Sequence, residues 1–224
     1  MAAVEPPDIS YRSAIPTKVL QEGRLSDLQY ETVLYAGQRH AQTLPDGSRG
    51  GYFVGDGTGV GKGREIAGAI LDNWERGRRR ALWVSVSRDL QEASRADLDD
   101  VAGKDKIPIV SINTFPVGGD IAAKEGVIFT TYSSLISKGK GEQVVEGARG
   151  RLAQVQRWKP DIIVFDEAHR AKNALAQGRA EPSQTGQAVI DLQAALPDSR
   201  ILYVSATGAT DVRNMAYMTR LGLW

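Results

Sequence analysis

Cysteine is absent from this 224-residue chain, so it has neither a disulfide framework nor a thiolate metal site, a composition that suits a reducing compartment. Aromatic residues make up only 7%, and no apolar run approaches the roughly twenty residues of a membrane span. An excess of either charge is missing too. With 28 Lys+Arg against 27 Asp+Glu the net charge is +1, which excludes a global attraction to nucleic acid and requires any such contact to come from a local patch. The first residues, Met1 to Asp8, lack the basic and then apolar pattern of a secretion signal, and no internal repeat is visible. A soluble intracellular protein follows as the expectation: cytoplasmic if the source is bacterial or phage, nuclear if it is eukaryotic. Apolar content of 42% and charged content of 25% are ordinary for a globular domain, and the length suits one large domain better than two.

Glycine, by contrast, is concentrated where it has a use. Gly55, Gly57, Gly59 and Gly61 alternate through a stretch that follows the apolar run Tyr52-Phe53-Val54 and leads into the helix-like Ile66 to Leu71. A strand, a glycine-rich turn and a helix N-terminus in that order let successive backbone N–H groups converge on a phosphate chain, with the positive end of the helix behind them. Lys62 then supplies a mobile cation for the β- and γ-phosphates. Gly57, Thr58, Gly59, Val60, Gly61, Lys62, Gly63 and Arg64 are therefore the candidate nucleotide contacts. The pattern G-x-x-x-x-G-K-[ST] is broken twice: Asp56 stands where its first Gly would be, and Gly63 stands where a Ser or Thr would offer a hydroxyl to Mg²⁺. A glycine-rich hairpin with a chance Gly-Lys pair is the bland alternative.

Along the chain, residues 1–25 carry Pro6, Pro7 and Pro16 with little periodicity and are expected to form an extended arm, packed on the domain or partly disordered, with the main domain over 26–224. Ser26 reads as the cap of a helix through Leu28, Val33 and Ala36. Gln29 on that helix could pair with adenine, since its amide offers one donor and one acceptor; the plainer role is a solvated helix position. Arg78-Arg79-Arg80 is either a basic patch or a solvated turn before the strand Ala81 to Val86, after which Ser87 could cap the next helix. Further strands are expected at Ile107–Val110 and Val127–Thr131, a short helix through Leu152, Val155 and Trp158, and a mobile loop over 172–186. Ser85, Ser87 and Thr131, at strand ends, could touch a sugar-phosphate backbone, although caps and turns need such hydroxyls for local reasons.

Ile162-Ile163-Val164-Phe165 is wholly apolar, as a central parallel strand requires, and ends in Asp166-Glu167-Ala168-His169. Carboxylates directly after a buried strand emerge at the edge of the sheet where a phosphate loop on a neighbouring strand also opens. Asp166 could then hold Mg²⁺ and Glu167 could orient and deprotonate an attacking water. The last strand, Ile201 to Val204, ends in Ser205-Ala206-Thr207, whose hydroxyls could relay between His169 and a bound polymer. The residues predict an α/β fold with a largely parallel central sheet and helices on both faces.

Taken together, the phosphate loop, Asp166-Glu167-Ala168-His169 and Ser205-Ala206-Thr207 resemble the first motor lobe of superfamily 2 helicases. Leu25 to Gln29, Leu44 to Arg49, Gly55 to Arg64, Arg80 to Ser87, Tyr132 to Leu135, Phe165 to Asn173 and Tyr203 to Trp224 resemble, more specifically, the strawberry notch family. The resemblance implies a RecA-like P-loop NTPase lobe that binds ATP and Mg²⁺ and acts on nucleic acid, DNA before RNA. It implies that Gly-Lys-Gly-Arg is normal at this loop, and that Ala168 stands where animal members carry cysteine. It also implies a second RecA-like lobe, in cis or in trans, so that this chain is expected to be half a motor. A non-hydrolysing scaffold for regulatory proteins is the rival expectation, motivated by Gly63 and the missing lobe; a small-molecule kinase is a weaker one.

Overall fold

The computed structural model describes residues 6–56, 59, 61–137, 150–171, 183–206 and 215–223. In chain order the elements are α1 (Thr17–Gln21), α2 (Asp27–His40), β1 (Gly51–Val54), α3 (Lys62–Glu75), β2 (Arg80–Ser85), α4 (Leu90–Ala102), β3 (Ile109–Ser111), β4 (Gly126–Thr131), α5 (Tyr132–Leu135), α6 (Gly150–Trp158), β5 (Ile162–Asp166), α7 (Gln184–Ala195) and β6 (Arg200–Val204). The strands form one six-stranded sheet in the order β1-β6-β5-β2-β4-β3, with every pairing parallel. All strands therefore end at the same edge.

Alternation along the strands divides the core in two. Trp83, Phe129, Val164 and Val204 point to one face and pack with Val33, Ile66, Ile70 and Leu98 of α2, α3 and α4. Val84, Ile163, Phe165 and Tyr203 point to the other and pack with Val155, Val189 and Leu192 of α6 and α7. A sheet covered on both faces explains why β5 reads as an unbroken apolar run rather than an alternating one.

The N-terminal arm packs on the domain, one of the two expected arrangements. Ile15, Val19 and Leu25 are buried in the first core, and Val19 lies on α1, a helix that the prolines of this stretch conceal. Ser26 caps α2 as expected, in a reciprocal capping box with Gln29. Ser87 does not cap α4. Asp89 holds that position, and the Ser87 hydroxyl accepts the Asp89 N–H at 3.4 Å instead. The loop expected to reach residue 186 ends earlier: Ser183 caps α7 and accepts the Gly186 N–H at 3.0 Å, while residues 172–182 lie outside the described set. Among the described residues, no helix is long and apolar enough to cross a membrane.

Candidate functional site

β1 runs into the phosphate loop, and the loop delivers the chain to α3. Gly61 takes the left-handed conformation at φ +86°, and a Cβ there would stand 2.6 Å from Gln29 Nε2. Glycine is required on both counts. Gly59 is also left-handed, at φ +95°. Gly57, Thr58 and Val60 lie outside the described residues. Lys62 Nζ donates to the carbonyl of Asp56 at 3.3 Å, across the mouth of the loop.

Gln29 is not the solvated helix residue of the plainer reading. It is 7% exposed; its Oε1 accepts the Ser26 N–H at 3.0 Å, and its Nε2 faces Gly61. One amide thus joins the cap of α2 to the turn of the loop.

Arg64 departs from expectation. Its backbone N–H is bonded to the Gly61 carbonyl at 2.9 Å, and its guanidinium meets Asp100 on α4 at 2.7 Å and the Arg24 carbonyl at 3.5 Å. Once α3 and α4 pack together, this side chain is directed at α4 rather than at the loop's contents.

Gly63 is where the tertiary structure adds something new. A Cβ at this position would lie 1.9 Å from Asp97 Oδ2, so a carboxylate oxygen of α4 already stands where a serine or threonine side chain would begin. Asp97 makes no hydrogen bond or ion pair among the described residues. Burial raises its pKa, Arg64 opposes that, and the charges of Asp100 and Asp166 add to it, so Asp97 lies within electrostatic reach of the carboxylate at the end of β5.

A second acidic group hides beneath the loop. Glu65, in the first turn of α3, is 1% exposed; its Oε1 accepts the Thr32 hydroxyl at 3.2 Å, its Oε2 has no hydrogen-bond donor, and the Asp56 side chain lies within reach of the carboxyl. Burial first, and Asp56 second, push the Glu65 carboxyl up to about 7, against the pull of Thr32 and Lys62.

The expectation that the carboxylate strand neighbours the phosphate-loop strand needs correction, because β6 lies between β5 and β1. Register closes the gap. Asp166 pairs with Val204 and Val204 with Val54, so the three strands end level. The Ser205 N–H then donates to the Val54 carbonyl at 3.0 Å, and the Ser205 hydroxyl lies 3.1 Å from His169 Nδ1. A continuous line of contacts crosses the sheet edge from the carboxylates to the loop.

Asp166 is held from several sides. Ser85 donates to its Oδ2 at 3.1 Å, the Glu167 N–H to its Oδ1 at 2.9 Å, and the Tyr132 hydroxyl to its backbone carbonyl at 2.9 Å. Burial raises its pKa; the Ser85 hydrogen bond works against that, and the Glu167 charge adds to it. Glu167 sits at φ +50°, a left-handed conformation that costs a non-glycine residue about 1–3 kcal/mol. The turn aims its side chain at His169, with Oε2 3.3 Å from Nδ1.

Two of the expected polymer contacts are inside the protein. Ser85 is 0% exposed and spent on Asp166; Thr131 is 4% exposed and caps α5, accepting the Ser134 N–H at 3.2 Å. Neither hydroxyl is open to a sugar-phosphate backbone in this conformation. Ser87 stays at the surface, bonded to Asp89, and Thr207 lies outside the described residues.

For a magnesium ion the donor set fits: carboxylate oxygens are hard ligands, and Gly63 leaves its cradle to one. Among the described residues no three acidic, histidine or cysteine side chains cage a metal.

With this geometry in view, the likenesses to known proteins have a structural meaning. The family described as P-loop containing NTP hydrolase pore-1 matches residues 1–224. Over 232 residues the chain is 46% identical to Protein FORGETTER 1 of Arabidopsis thaliana, and over 233 residues 45% identical to Protein strawberry notch of Drosophila melanogaster; both matches cover 100% of this chain. The chain belongs to the strawberry notch family of P-loop NTP hydrolases. It spans 17% of the Arabidopsis protein and 14% of the Drosophila protein. The chain is also similar in fold to the Sulfolobus solfataricus SWI2/SNF2 ATPase core in complex with dsDNA, with a TM-score of 0.60 and 14% identity, covering 99% of this chain and 38% of that one. Saccharomyces cerevisiae Dbp5 bound to RNA and ADP BeF3 gives a TM-score of 0.56 and 21% identity over 93% of this chain and 48% of that one. The RecA-like P-loop NTPase fold that the family resemblance implies is the fold observed.

Proposed function

We propose that this chain is the ATP-binding lobe of a nucleic-acid-dependent ATPase of the superfamily 2 helicase or translocase type. The observation that carries the reading is the bridge at Ser205, which ties the Asp166-Glu167-His169 cluster to the end of the phosphate-loop strand, so that loop and carboxylates open on one edge. Lys62 would neutralise the β- and γ-phosphates, and the loop amides from Gly57 to Lys62 would cradle them. Gln29 would read adenine with Nε2 and the second lone pair of Oε1.

Asp166 and Asp97 are the side chains that would hold Mg²⁺, with Asp97 standing in for the hydroxyl that Gly63 lacks. Such an ion, when bound, supplies charge neutralisation at the phosphates. Glu167, held by its left-handed backbone beside His169, would orient a water and take its proton. His169 and Ser205, with Thr207, would couple that event to a bound polymer.

DNA is the first polymer to test, since one neighbour in fold is a complex with dsDNA; another is a complex with RNA. A second RecA-like lobe would contribute the arginines that stabilise charge in the transition state, an effect of about 10³–10⁵ in rate for such residues in general. The scaffold alternative loses one of its two motives here, because the departure at Gly63 is filled by Asp97.

ATP turnover in a protein carrying both lobes, measured with and without DNA, tests the proposal. Turnover that DNA stimulates and Lys62→Ala abolishes is the expected result; Mg-ATP binding without any turnover would return the scaffold reading.

A further inference from the structure

The opposite edge of the sheet, where the strands begin, holds a feature unrelated to the nucleotide site. A cavity of about 280 Å³ lies among the end of α2, the end of α3, the start of β6 and the N-terminal arm, and four arginines line it: Arg49, Arg76, Arg78 and Arg200. They come from three separate segments of sequence, and Arg78 belongs to the basic run that the nucleotide site leaves unused.

Three of them are committed to the protein. Arg49 donates to the His40 carbonyl at 2.8 Å and the Asp198 carbonyl at 3.0 Å. Arg76 meets Asp72 at 3.5 Å and lies over the Tyr11 ring at 4.9 Å, and Arg78 donates to Asn73 Oδ1 at 2.6 Å. Arg200 differs: its guanidinium has no hydrogen bond or ion pair among the described residues, although it is only partly exposed. Burial, then the charges of Arg78 and Arg49, push its pKa down to about 10, with Asp161 the acid that opposes them.

Little in the lining offsets this charge. Asp72 is the one acidic lining residue; its Oδ2 accepts the Tyr11 hydroxyl and its Oδ1 the Ala14 N–H, each at 2.5 Å. Burial holds His40 down to about 4, so it is neutral at physiological pH, with its ring N–H donated to the Ile201 carbonyl at 2.9 Å. Like charges gathered in a half-buried cavity repel, and an anion seated among them would relieve that repulsion.

We propose that this cavity is a binding site for an oxyanion of the phosphate type, gripped by the Arg200 fork with Arg78 and Arg49 flanking it. A guanidinium presents paired donors that match a phosphoryl group, and the volume, just under the usual range of about 300–1,000 Å³ for small-molecule pockets, suits one such group with a small substituent. The site stands apart from the phosphate loop, and the proposal does not depend on ATP chemistry.

Thermal unfolding of the whole chain in phosphate, in phosphoserine and in chloride at matched ionic strength tests it, with Arg200→Gln and Lys62→Ala as the paired variants. Saturable stabilisation by phosphate is expected in the unaltered chain and in Lys62→Ala, and its half-saturation should rise tenfold or more in Arg200→Gln. In chloride alone, Arg200→Gln should unfold at a higher temperature than the unaltered chain, because a repelled charge has gone; a merely structural arginine would give the opposite sign. Tighter binding of phosphoserine than of phosphate would identify a monoester as the ligand, and equal or weaker binding the free ion. Stabilisation that Lys62→Ala removes and Arg200→Gln keeps, or none in any protein, would overturn the proposal.

Discussion

The two edges of this sheet carry opposite chemistry on the same scaffold. At the edge where strands end, Asp56, Glu65, Asp97, Asp166 and Glu167 gather around one lysine and the start of α3. Arg49, Arg76, Arg78 and Arg200 gather at the other, around one aspartate. A nearly neutral chain hides this division, since 28 basic and 27 acidic residues cancel in the sum. Net charge bears on long-range attraction, whereas partner chemistry at a given site is set by where charges are placed. Under the proposed roles, the acidic edge would take a cation together with a polyphosphate, and the basic edge an anion.

The largest expected effect belongs to the acidic edge. Glu167→Gln should keep nucleotide binding and lower hydrolysis by about 10²-fold or more in a protein carrying both lobes, the scale of a lost general base. Turnover equal to that of the parent in a steady-state phosphate-release assay would remove Glu167 from this role.

A pair of buried groups, one per edge, gives the next contrast. His40, held down to about 4, is neutral in the fold, so its contribution to stability is complete above about pH 6.5 and is lost as pH falls toward 4. Glu65, pushed up to about 7, works in reverse: its contribution is complete below about pH 4.5 and is lost as pH rises through 7. The two slopes oppose each other in the parent between roughly pH 5 and 6.5. Urea unfolding of His40→Gln should show stability falling with pH across that window, and Glu65→Gln should show it rising, each by on the order of 2 kcal/mol. Parallel slopes in the two variants would show that neither group titrates as its surroundings demand.

Asp97→Asn tests whether the acidic edge is built for a cation. The affinity for Mn²⁺ in the presence of a non-hydrolysable ATP analogue, read by electron paramagnetic resonance, should fall about tenfold, or about 1.4 kcal/mol. Metal-free nucleotide should bind as well or better once the repelling carboxylate is gone. An unchanged Mn²⁺ affinity would leave Asp166 as the proposed protein ligand.

Much of this could be read from residues in order. The apolar run before Asp166, the glycines before Lys62 and the cap at Ser26 all act through neighbours in sequence, and all stand where local rules place them. Ser85 and Thr131 were legible only as an ambiguity, since a hydroxyl at a strand end suits a cap as well as a polymer; burial and register decide it. Asp97 carried no signal, because a carboxylate in the middle of an amphipathic helix looks solvated until α3 packs against α4 and brings Gly63 to it. Glu65 read as an acidic residue suited to a helix N-terminus, with nothing to mark its burial beneath the loop. The place of β6 between β1 and β5, like the union of arginines from three separate segments, depends on crossovers that no local pattern specifies.

The most direct test of the central claim is a calorimetric titration of this chain with Mg-ATP beside the Lys62→Ala variant. Binding that the substitution weakens tenfold or more, about 1.4 kcal/mol, is the predicted result and would establish the acidic edge as a nucleotide site. Equal binding by both proteins would contradict it, since Lys62 would then not hold the phosphates.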